Sequence, residues 1–584
     1  METAAISFFL SEEAVMDNRL TRLETRVSEI SFSLEDLGRR LAALESGAVA
    51  APLPAAGTRP PAAQEPEERV PEWVDFGGWM ALLGRTLVAL GGAYLLRALT
   101  GAGLLPQSLG VLIAFLYALG WLLLADRAGG RGRTTSAAFH GVTAALIGYP
   151  LLWEATARFG YLPPAGAALA VALFTALAFA VAWRRDLPSL VLTAGAGSAL
   201  AALALLAGTH DWLPFSLDLV LLGAAALVLA AVRGWSAAGW LLPVPVYAAV
   251  LLESSEGVVK EAGGGPAAVA GLALCLSYLA AVSVFALGAK RGLPRHAALH
   301  GAVAALLGFG AAALHVTAGA ALAVGALGVL LGAGAYVAAF RRVDRAERGK
   351  LLFYSGLGLF FVLAGSGLVL PAAALPFAWS LLAVVCAWGA VRVSRVTLSL
   401  HGTLYALAAA IASGLTWLAG YAFAAPSTFA WPPFTAGAAV ALLAAAVCCA
   451  LPVPRLAPFW KPYASFTRLV QLALLTWGAG GALLYALAPL AAGRPGAGAD
   501  GGLLAALRTA VLAGAALLLG WAARWQRIHE AAWLVYPLLL AAGVKLAVED
   551  FPNGRPLTLF VALALCGGAL ILAPRLARRA GAAA

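Results

Sequence analysis

Charged side chains are scarce in this chain of 584 residues: 11% are Asp, Glu, Lys or Arg, while 62% are hydrophobic. A soluble protein carries charge on roughly 25% of its residues, so a soluble fold of this composition would leave large apolar areas in water. Apolar runs of about 20 residues, the length that crosses a bilayer, recur from Trp79 onwards. The composition therefore predicts a membrane protein whose apolar surface faces lipid and neighbouring helices.

Cysteine is also rare, and every cysteine falls within an apolar run without CxxC spacing: Cys275, Cys386, Cys448, Cys449 and Cys566. The sequence lacks a P-loop, a GxSxG motif, an HExxH motif and a GxGxxG motif placed after a strand. We therefore expect no disulfide, no metal site and no cofactor, and we favour a protein that is not an enzyme.

Positive charge is unevenly distributed: residues 1–78 carry a net charge of −7 and the remainder a net charge of +18. Most of the positive charge lies in short connections between apolar runs, where orientation in the membrane explains it, so we expect no nucleic-acid partner. The opening METAAISFFLSEE has no positive region and only a short apolar run. It therefore does not resemble a signal peptide, and we expect a cytoplasmic N-terminus.

Residues 1–46 contain a heptad pattern that predicts a cytoplasmic coiled-coil helix. Its a positions are Leu20, Val27, Leu34 and Leu41, and its d positions are Leu23, Ile30, Leu37 and Leu44. In a parallel dimer, Arg19 faces Glu24 of the partner and Arg40 faces Glu45, and both pairs attract. The alternative is a single amphipathic helix that packs on a cytoplasmic surface. Residues 47–72 are rich in proline and predict an extended linker.

The remaining residues, 73–584, predict an all-α polytopic membrane domain of about eighteen spans. The spans are approximately residues 79–99, 105–125, 136–155, 164–183, 187–207, 213–232, 235–252, 265–288, 296–316, 318–340, 351–370, 372–391, 395–421, 433–451, 465–490, 502–523, 530–549 and 556–575.

The charge of the connections alternates along the membrane domain. Connections after even-numbered spans, together with the tail, hold 23 Lys and Arg, whereas connections after odd-numbered spans hold about five. Because basic connections stay in the cytoplasm, the alternation predicts helical hairpins, an even number of spans and both termini in the cytoplasm.

Three spans open with a His-Gly pair, at His140, His300 and His401. We interpret each histidine as an interfacial residue that is hydrogen-bonded to a neighbouring helix end, with the glycine allowing close packing. The alternative is an ion site shared by the three histidines, which requires them to converge.

Ionisable residues inside membrane spans are the default candidates for function. Four of them fall near the predicted outer ends of spans: Arg97, Glu154, Lys545 and Asp550. The functional interpretation is an outward-facing polar pocket that holds an anionic or sugar-like group. The alternative is that such side chains extend to the lipid head groups. Lys545 and Glu549, four residues apart, also predict a local ion pair.

Both ends of the membrane domain carry patterns found in a known family. The first span contains Trp79, Gly84, Arg85, Gly91, Gly92 and Arg97, and the last connection contains GVKLAVEDFPNGRP with Lys545, Asp550 and Arg555. Together with the heptads and the linker, these patterns resemble the bacterial multi-pass family called domain of unknown function 2339, although that family usually has Lys where Arg97 stands. The resemblance implies a bacterial cytoplasmic-membrane protein and supplies no activity or catalytic residue.

Two classes of function follow from the sequence. The leading hypothesis is a membrane protein without enzymatic activity, either transporter-like or an envelope scaffold, in which residues 19–45 mediate self-association or bind a protein partner. A transporter predicts a polar cavity, and a scaffold predicts a dry helical body. The second class is a membrane-embedded enzyme acting on lipid-linked sugars at the outer face, with Glu154 or Asp550 as the reactive carboxylate.

Overall fold

The computed structural model describes residues 76–288, 292–343, 348–454, 458–524 and 529–581, and every long regular element in them is a helix. The chain divides into two units, Met1–Gly78 and Trp79–Ala584. The first unit, with the predicted coiled coil and linker, lies outside the described residues except for the first three residues of α1. The second unit is the helical membrane domain.

The first ten helices are α1 Phe76–Gly101, α2 Gln107–Gly130, α3 Thr134–Trp153, α4 Pro164–Arg185, α5 Pro188–Thr209, α6 Trp212–Arg233, α7 Ser236–Glu253, α8 Glu256–Ala262, α9 Gly265–Gly288 and α10 Arg295–His315. The second ten are α11 Ala318–Arg341, α12 Arg348–Val369, α13 Leu375–Val393, α14 Val396–Ala412, α15 Leu415–Ala424, α16 Ala436–Ala450, α17 Lys461–Ala491, α18 Gly501–Ala522, α19 Ala531–Asn553 and α20 Pro556–Gly581.

Fourteen helices in the described part of the chain are long and apolar enough to cross a membrane, and the bent pair α14–α15 makes up to fifteen. The all-α, multi-pass prediction is therefore confirmed, whereas the count of eighteen is not. The four predicted spans that are not among these fourteen helices correspond to α1, α3, α16 and the bent pair α14–α15. With 15 residues, α16 is about 22 Å long, shorter than the hydrocarbon core of roughly 30 Å.

Neighbouring helices pack as tight hairpins because small residues let their backbones approach. In the hairpin of α11 and α12, a Cβ added to Gly328 would lie 3.0 Å from the Cα of Gly365. In the hairpin of α13 and α14, a Cβ added to Gly402 would lie 2.8 Å from the carbonyl oxygen of Ala383. Larger residues at these glycines would force the helices apart.

Contacts between helix ends fall into two groups that follow the predicted alternation. Ends next to basic, even-numbered connections touch one another through Arg185–Asp126, Arg233–Trp183, Arg395–Phe340, Arg348–Phe459 and Ser465–Glu530. Ends next to odd-numbered connections touch one another through Arg97–Glu154, Tyr161–Gln107, Gly496–Ser427 and Arg555–Asp500. The domain therefore has two opposite ends, of which one carries most of the cationic connections.

Candidate functional site

The most buried cation in the described membrane helices is Arg508, near the start of α18, with 1% of its side chain exposed. Its Nε donates to the carbonyl oxygen of Ala422 at 2.7 Å, and its Nη2 donates to that of Ala425 at 2.6 Å. These carbonyls belong to the C-terminal end of α15, where a helix leaves its last carbonyl groups without partners of its own. The guanidinium also compensates the negative end of the helix dipole, so it fastens α18 to the end of α15.

A second cation, Lys545 of α19, lies against the same helix. Its Nζ donates to Asp550 Oδ2 at 2.7 Å, to Thr509 Oγ1 at 2.8 Å and to the carbonyl oxygen of Ala505 at 2.5 Å. The hydroxyl of Thr509 in turn donates to Asp550 Oδ2 at 2.9 Å. All three ammonium protons therefore have acceptors, and 2% of the Asp550 side chain is exposed.

Glu549 joins the two cations, since its Oε1 accepts from Arg508 Nη1 at 2.5 Å and its Oε2 lies 3.5 Å from Lys545 Nζ. We call Arg508, Lys545, Glu549 and Asp550 the ion-pair cluster. The predicted pair of Lys545 and Glu549 is confirmed, although Lys545 lies closer to Asp550.

Local backbone geometry explains this preference. Residues five apart on an α-helix point about 140° away from each other, so Lys545 and Asp550 would not meet on a regular α-helix. Residues Leu546–Asp550 instead form a π-helical turn, whose wider turn brings positions five apart onto nearly one face. The π-helical turn therefore places the Asp550 carboxylate beside Lys545 Nζ and leaves the Glu549 carboxylate within hydrogen-bond distance of Arg508.

The ion-pair cluster is balanced, with two cations and two carboxylates that neutralise one another. Burying an unpaired charge is costly, whereas mutual pairing and additional hydrogen bonds offset that cost. Its cations are already bound by carboxylates and backbone carbonyls. The arrangement is therefore suited to joining α15, α18 and α19, and less suited to binding an additional anion.

The other two candidate residues form a separate pair. Arg97 Nη2 lies 2.5 Å from Glu154 Oε1, and Arg158 Nη1 lies 3.3 Å from the same oxygen. The two arginine side chains are 48% and 58% exposed, so this is a surface interaction of small energetic value. Glu154 also begins a π-helical turn, Glu154–Arg158, at the end of α3.

The structure thus brings Arg97 to Glu154 and Lys545 to Asp550, and no described contact joins the first pair to the second. A single pocket lined by all four residues stays a prediction. Sequence reasoning missed Arg508 and Glu549 as members of the site. The available signal was Arg508 itself, a charged residue inside an apolar run, whereas its acceptors belong to a distant helix end.

The three His-Gly histidines have separate partners. His300 Nδ1 lies 2.7 Å from the Tyr247 hydroxyl, and His401 Nδ1 lies 3.0 Å from the Tyr336 hydroxyl. His140 Nε2 lies 3.3 Å from the hydroxyl of Ser136 on its own helix. The tyrosine partners of His300 and His401 lie on neighbouring helices, whereas the interfacial position of the histidines stays a prediction. No described contact joins the three histidines.

Among the buried carboxyl groups outside the ion-pair cluster, two lie near α6. Asp218 is 4% exposed and faces a cavity of about 320 Å³ between α4 and α6, and its Oδ2 has no hydrogen-bond partner among the described residues. Glu253 is 1% exposed and accepts from the Ser216 hydroxyl at 2.7 Å. Neither residue has a described cation partner, in contrast to Glu549 and Asp550.

Fold and site together define a multi-pass helical membrane protein with a balanced ion-pair cluster near its C-terminal helices. Comparison with known proteins does not refine that class, since no family model, no curated protein and no solved structure matches the chain.

Proposed function

We propose that the protein is a non-enzymatic scaffold of a bacterial cytoplasmic membrane, in which a rigid helical domain anchors the cytoplasmic segment of residues 19–45. The observation that supports this function best is the closed ion-pair cluster. The charges that most resemble a binding site neutralise one another and hold three helices together. A scaffold requires such fixed contacts, whereas a ligand site requires a group that is free to bind.

The transporter-like alternative is supported less well. Broken helices in transporters expose backbone carbonyls that coordinate ions, and the bent pair α14–α15 is such a break. At the C-terminal end of α15, however, the carbonyls of Ala422 and Ala425 accept from Arg508. The protein's own guanidinium occupies the place where a transported cation would bind.

The enzyme alternative, acting on lipid-linked sugars at the outer face, needs a carboxylate that can donate or accept a proton. Its candidates are Glu154, which is paired with Arg97 and Arg158, and Asp550, which is paired with Lys545. The oxygens of both carboxylates are therefore already in contact with cationic side chains of the protein. This geometry suits general acid catalysis poorly, and we rank the enzyme below the scaffold.

The proposed scaffold has eighteen spans with both termini in the cytoplasm. Counting α1, α3, α16 and the bent pair α14–α15 with the fourteen long helices gives that number. The alternation of basic connections and the two groups of helix-end contacts support the arrangement. Membership of the domain of unknown function 2339 family is part of the same proposal and rests on the sequence patterns given above.

Self-association through the heptads is the testable core of the scaffold. Ile30→Asp with Leu37→Asp places charge at two d positions and is expected to abolish oligomers of the full-length protein, because a coiled-coil seam excludes charge. The matched control is Ser28→Asp with Ala42→Asp, which adds the same charge at two b positions of the heptad segment. The measurement is the mass of the protein–detergent complex by light scattering.

A smaller mass for the seam variant alone would support the scaffold. An unchanged oligomer mass in the seam variant would contradict self-association through residues 19–45. A loss in both variants would show that added charge, rather than the seam position, disrupts assembly, and it would also contradict the proposal.

A further inference from the structure

An apolar groove of about 690 Å³ opens between the α11–α12 hairpin and the α13–α14 hairpin. Each hairpin is tightly packed internally, whereas α12 contacts α13 and α14 only sparsely. The groove therefore lies where the two hairpins diverge. Its walls are aliphatic and aromatic, with Val329, Phe340, Val362, Val369 and Leu381 among the lining residues.

The few polar atoms in the wall are bonded to one another. The Tyr336 hydroxyl lies 3.0 Å from His401 Nδ1 and 3.3 Å from the Tyr405 hydroxyl, and Trp379 Nε1 donates to Ser366 Oγ at 2.9 Å. These polar atoms therefore already have partners within the wall. An occupant with a hydrocarbon body would suit the groove, since it needs no hydrogen bonds from the wall.

The groove is elongated along the helices. On α11 its lining residues run from Val329 to Phe340, a distance of about 17 Å at 1.5 Å per residue. This length exceeds half of the roughly 30 Å hydrocarbon core of a bilayer, and the volume is within the range of about 300–1,000 Å³ that ligand sites occupy. The shape fits an extended chain better than a compact ligand.

One end of the groove is basic. Phe340 lines it, Arg341 follows directly, and Arg395 Cζ lies 5.2 Å from the centroid of the Phe340 ring. The connection of residues 341–350 carries five Lys and Arg and two acidic residues, a net charge of +3. Basic pockets between membrane helices bind anionic head groups.

We propose that this groove binds one anionic membrane lipid, with a hydrocarbon chain along α11 and α13 and the anionic head group beside Arg341 and Arg395. The site does not depend on the heptads, so its test and the test of the scaffold are independent.

The hydrocarbon part of the proposal is tested by filling the groove. Ala333→Phe with Ala378→Phe places two aromatic rings among the lining residues. The matched control is Ala176→Phe with Ala180→Phe, which adds the same rings on the exposed side of α4. Full-length protein is purified in detergent with added phosphatidylglycerol, and retained lipid is counted by native mass spectrometry.

The wild type and the control are expected to retain one phosphatidylglycerol per chain, and the groove-filled variant to lose it. Equal retention by the groove-filled variant and the control would overturn the site, as would a wild type that carries detergent only.

The head-group part has a separate test that leaves the groove open. Arg341→Gln with Arg395→Gln is expected to abolish the preference for phosphatidylglycerol over phosphatidylcholine with identical chains in a direct competition. Retained preference in this variant would overturn the assignment of the head group to the basic end.

Discussion

Single residues decide how this protein tolerates charge inside an apolar domain. Arg508 and Lys545 are accepted because each has a carboxylate and at least one backbone carbonyl as partner. Removing one member of a buried pair leaves the other charge uncompensated, which is the expensive outcome. The exposed pair of Arg555 and Asp500, at 3.0 Å with 74% of the arginine exposed, provides the natural comparison.

Glu549→Gln is expected to lower the free energy of unfolding by about 3 kcal/mol, because Arg508 then keeps its buried charge without a carboxylate. Arg508→Met should lower the free energy of unfolding by a similar amount. The double variant should cost less than the sum, since neither charge remains alone. Unfolding of the purified protein in detergent measures these values.

The control variant Arg555→Gln should change stability by no more than about 1 kcal/mol, as exposed pairs do. If Glu549→Gln and Arg555→Gln had equally small effects, the ion-pair cluster would not hold the helices together. Strict additivity of Arg508→Met and Glu549→Gln would likewise contradict their coupling.

Part of the ion-pair cluster could be predicted from single residues and their spacing in the sequence. The spacing of Lys545 and Glu549 indicates their contact, and the apolar surroundings of Arg508 mark it as unusual. The pairing of Lys545 with Asp550 depends on a π-helical turn, which no pattern in the sequence indicates. The carbonyl partners of Arg508 could not be predicted either, since they belong to α15, more than eighty residues away in sequence.

Among the helices, the bent pair α14–α15 differs most from expectation. The sequence predicts one span over residues 395–421, whereas the structure ends α14 at Ala412, begins α15 at Leu415 and bends by 63° between them. Gly414 has a φ of +74°, in the left-handed region that glycine tolerates. Sharp bends occur at Gly/Ser pairs, so the adjacent Ser413 and Gly414 were the sequence signal for this break.

Gly414→Ala is expected to destabilise the protein by about 1–2 kcal/mol, because a Cβ disfavours the left-handed conformation. Beyond the chain neighbours, no described atom lies within 4 Å of the added Cβ, so the cost comes from the backbone rather than from a clash. Thermal unfolding in detergent measures the change.

The matched control is Gly420→Ala within α15, where the added Cβ would lie 3.9 Å from the Trp477 ring. This change should stabilise the helix or leave it unaffected, since alanine favours helix over glycine. Equal destabilisation by the two substitutions would contradict the role assigned to Gly414.

For the whole molecule, the sequence predicts helices well and their lateral arrangement poorly. Each of the eighteen predicted spans overlaps a described helix or the bent pair, because apolar runs and basic connections are direct consequences of the bilayer. Most helices, however, are apolar on every side, so no periodic pattern shows which face meets a neighbour. The groove between the hairpins and the clustering of charges therefore required the structure.

The arrangement of the connections on opposite sides of the membrane underlies the whole account. It is tested most directly by single cysteines in a full-length variant whose five native cysteines are replaced. Ala102→Cys and Ala497→Cys lie in connections that follow odd-numbered predicted spans. Arg131→Cys and Arg524→Cys lie in connections that follow even-numbered predicted spans. A membrane-impermeant maleimide is added to right-side-out membrane vesicles before and after permeabilisation. The account predicts labelling of the first two from outside and of the last two only after permeabilisation, whereas labelling of all four from one side would contradict it.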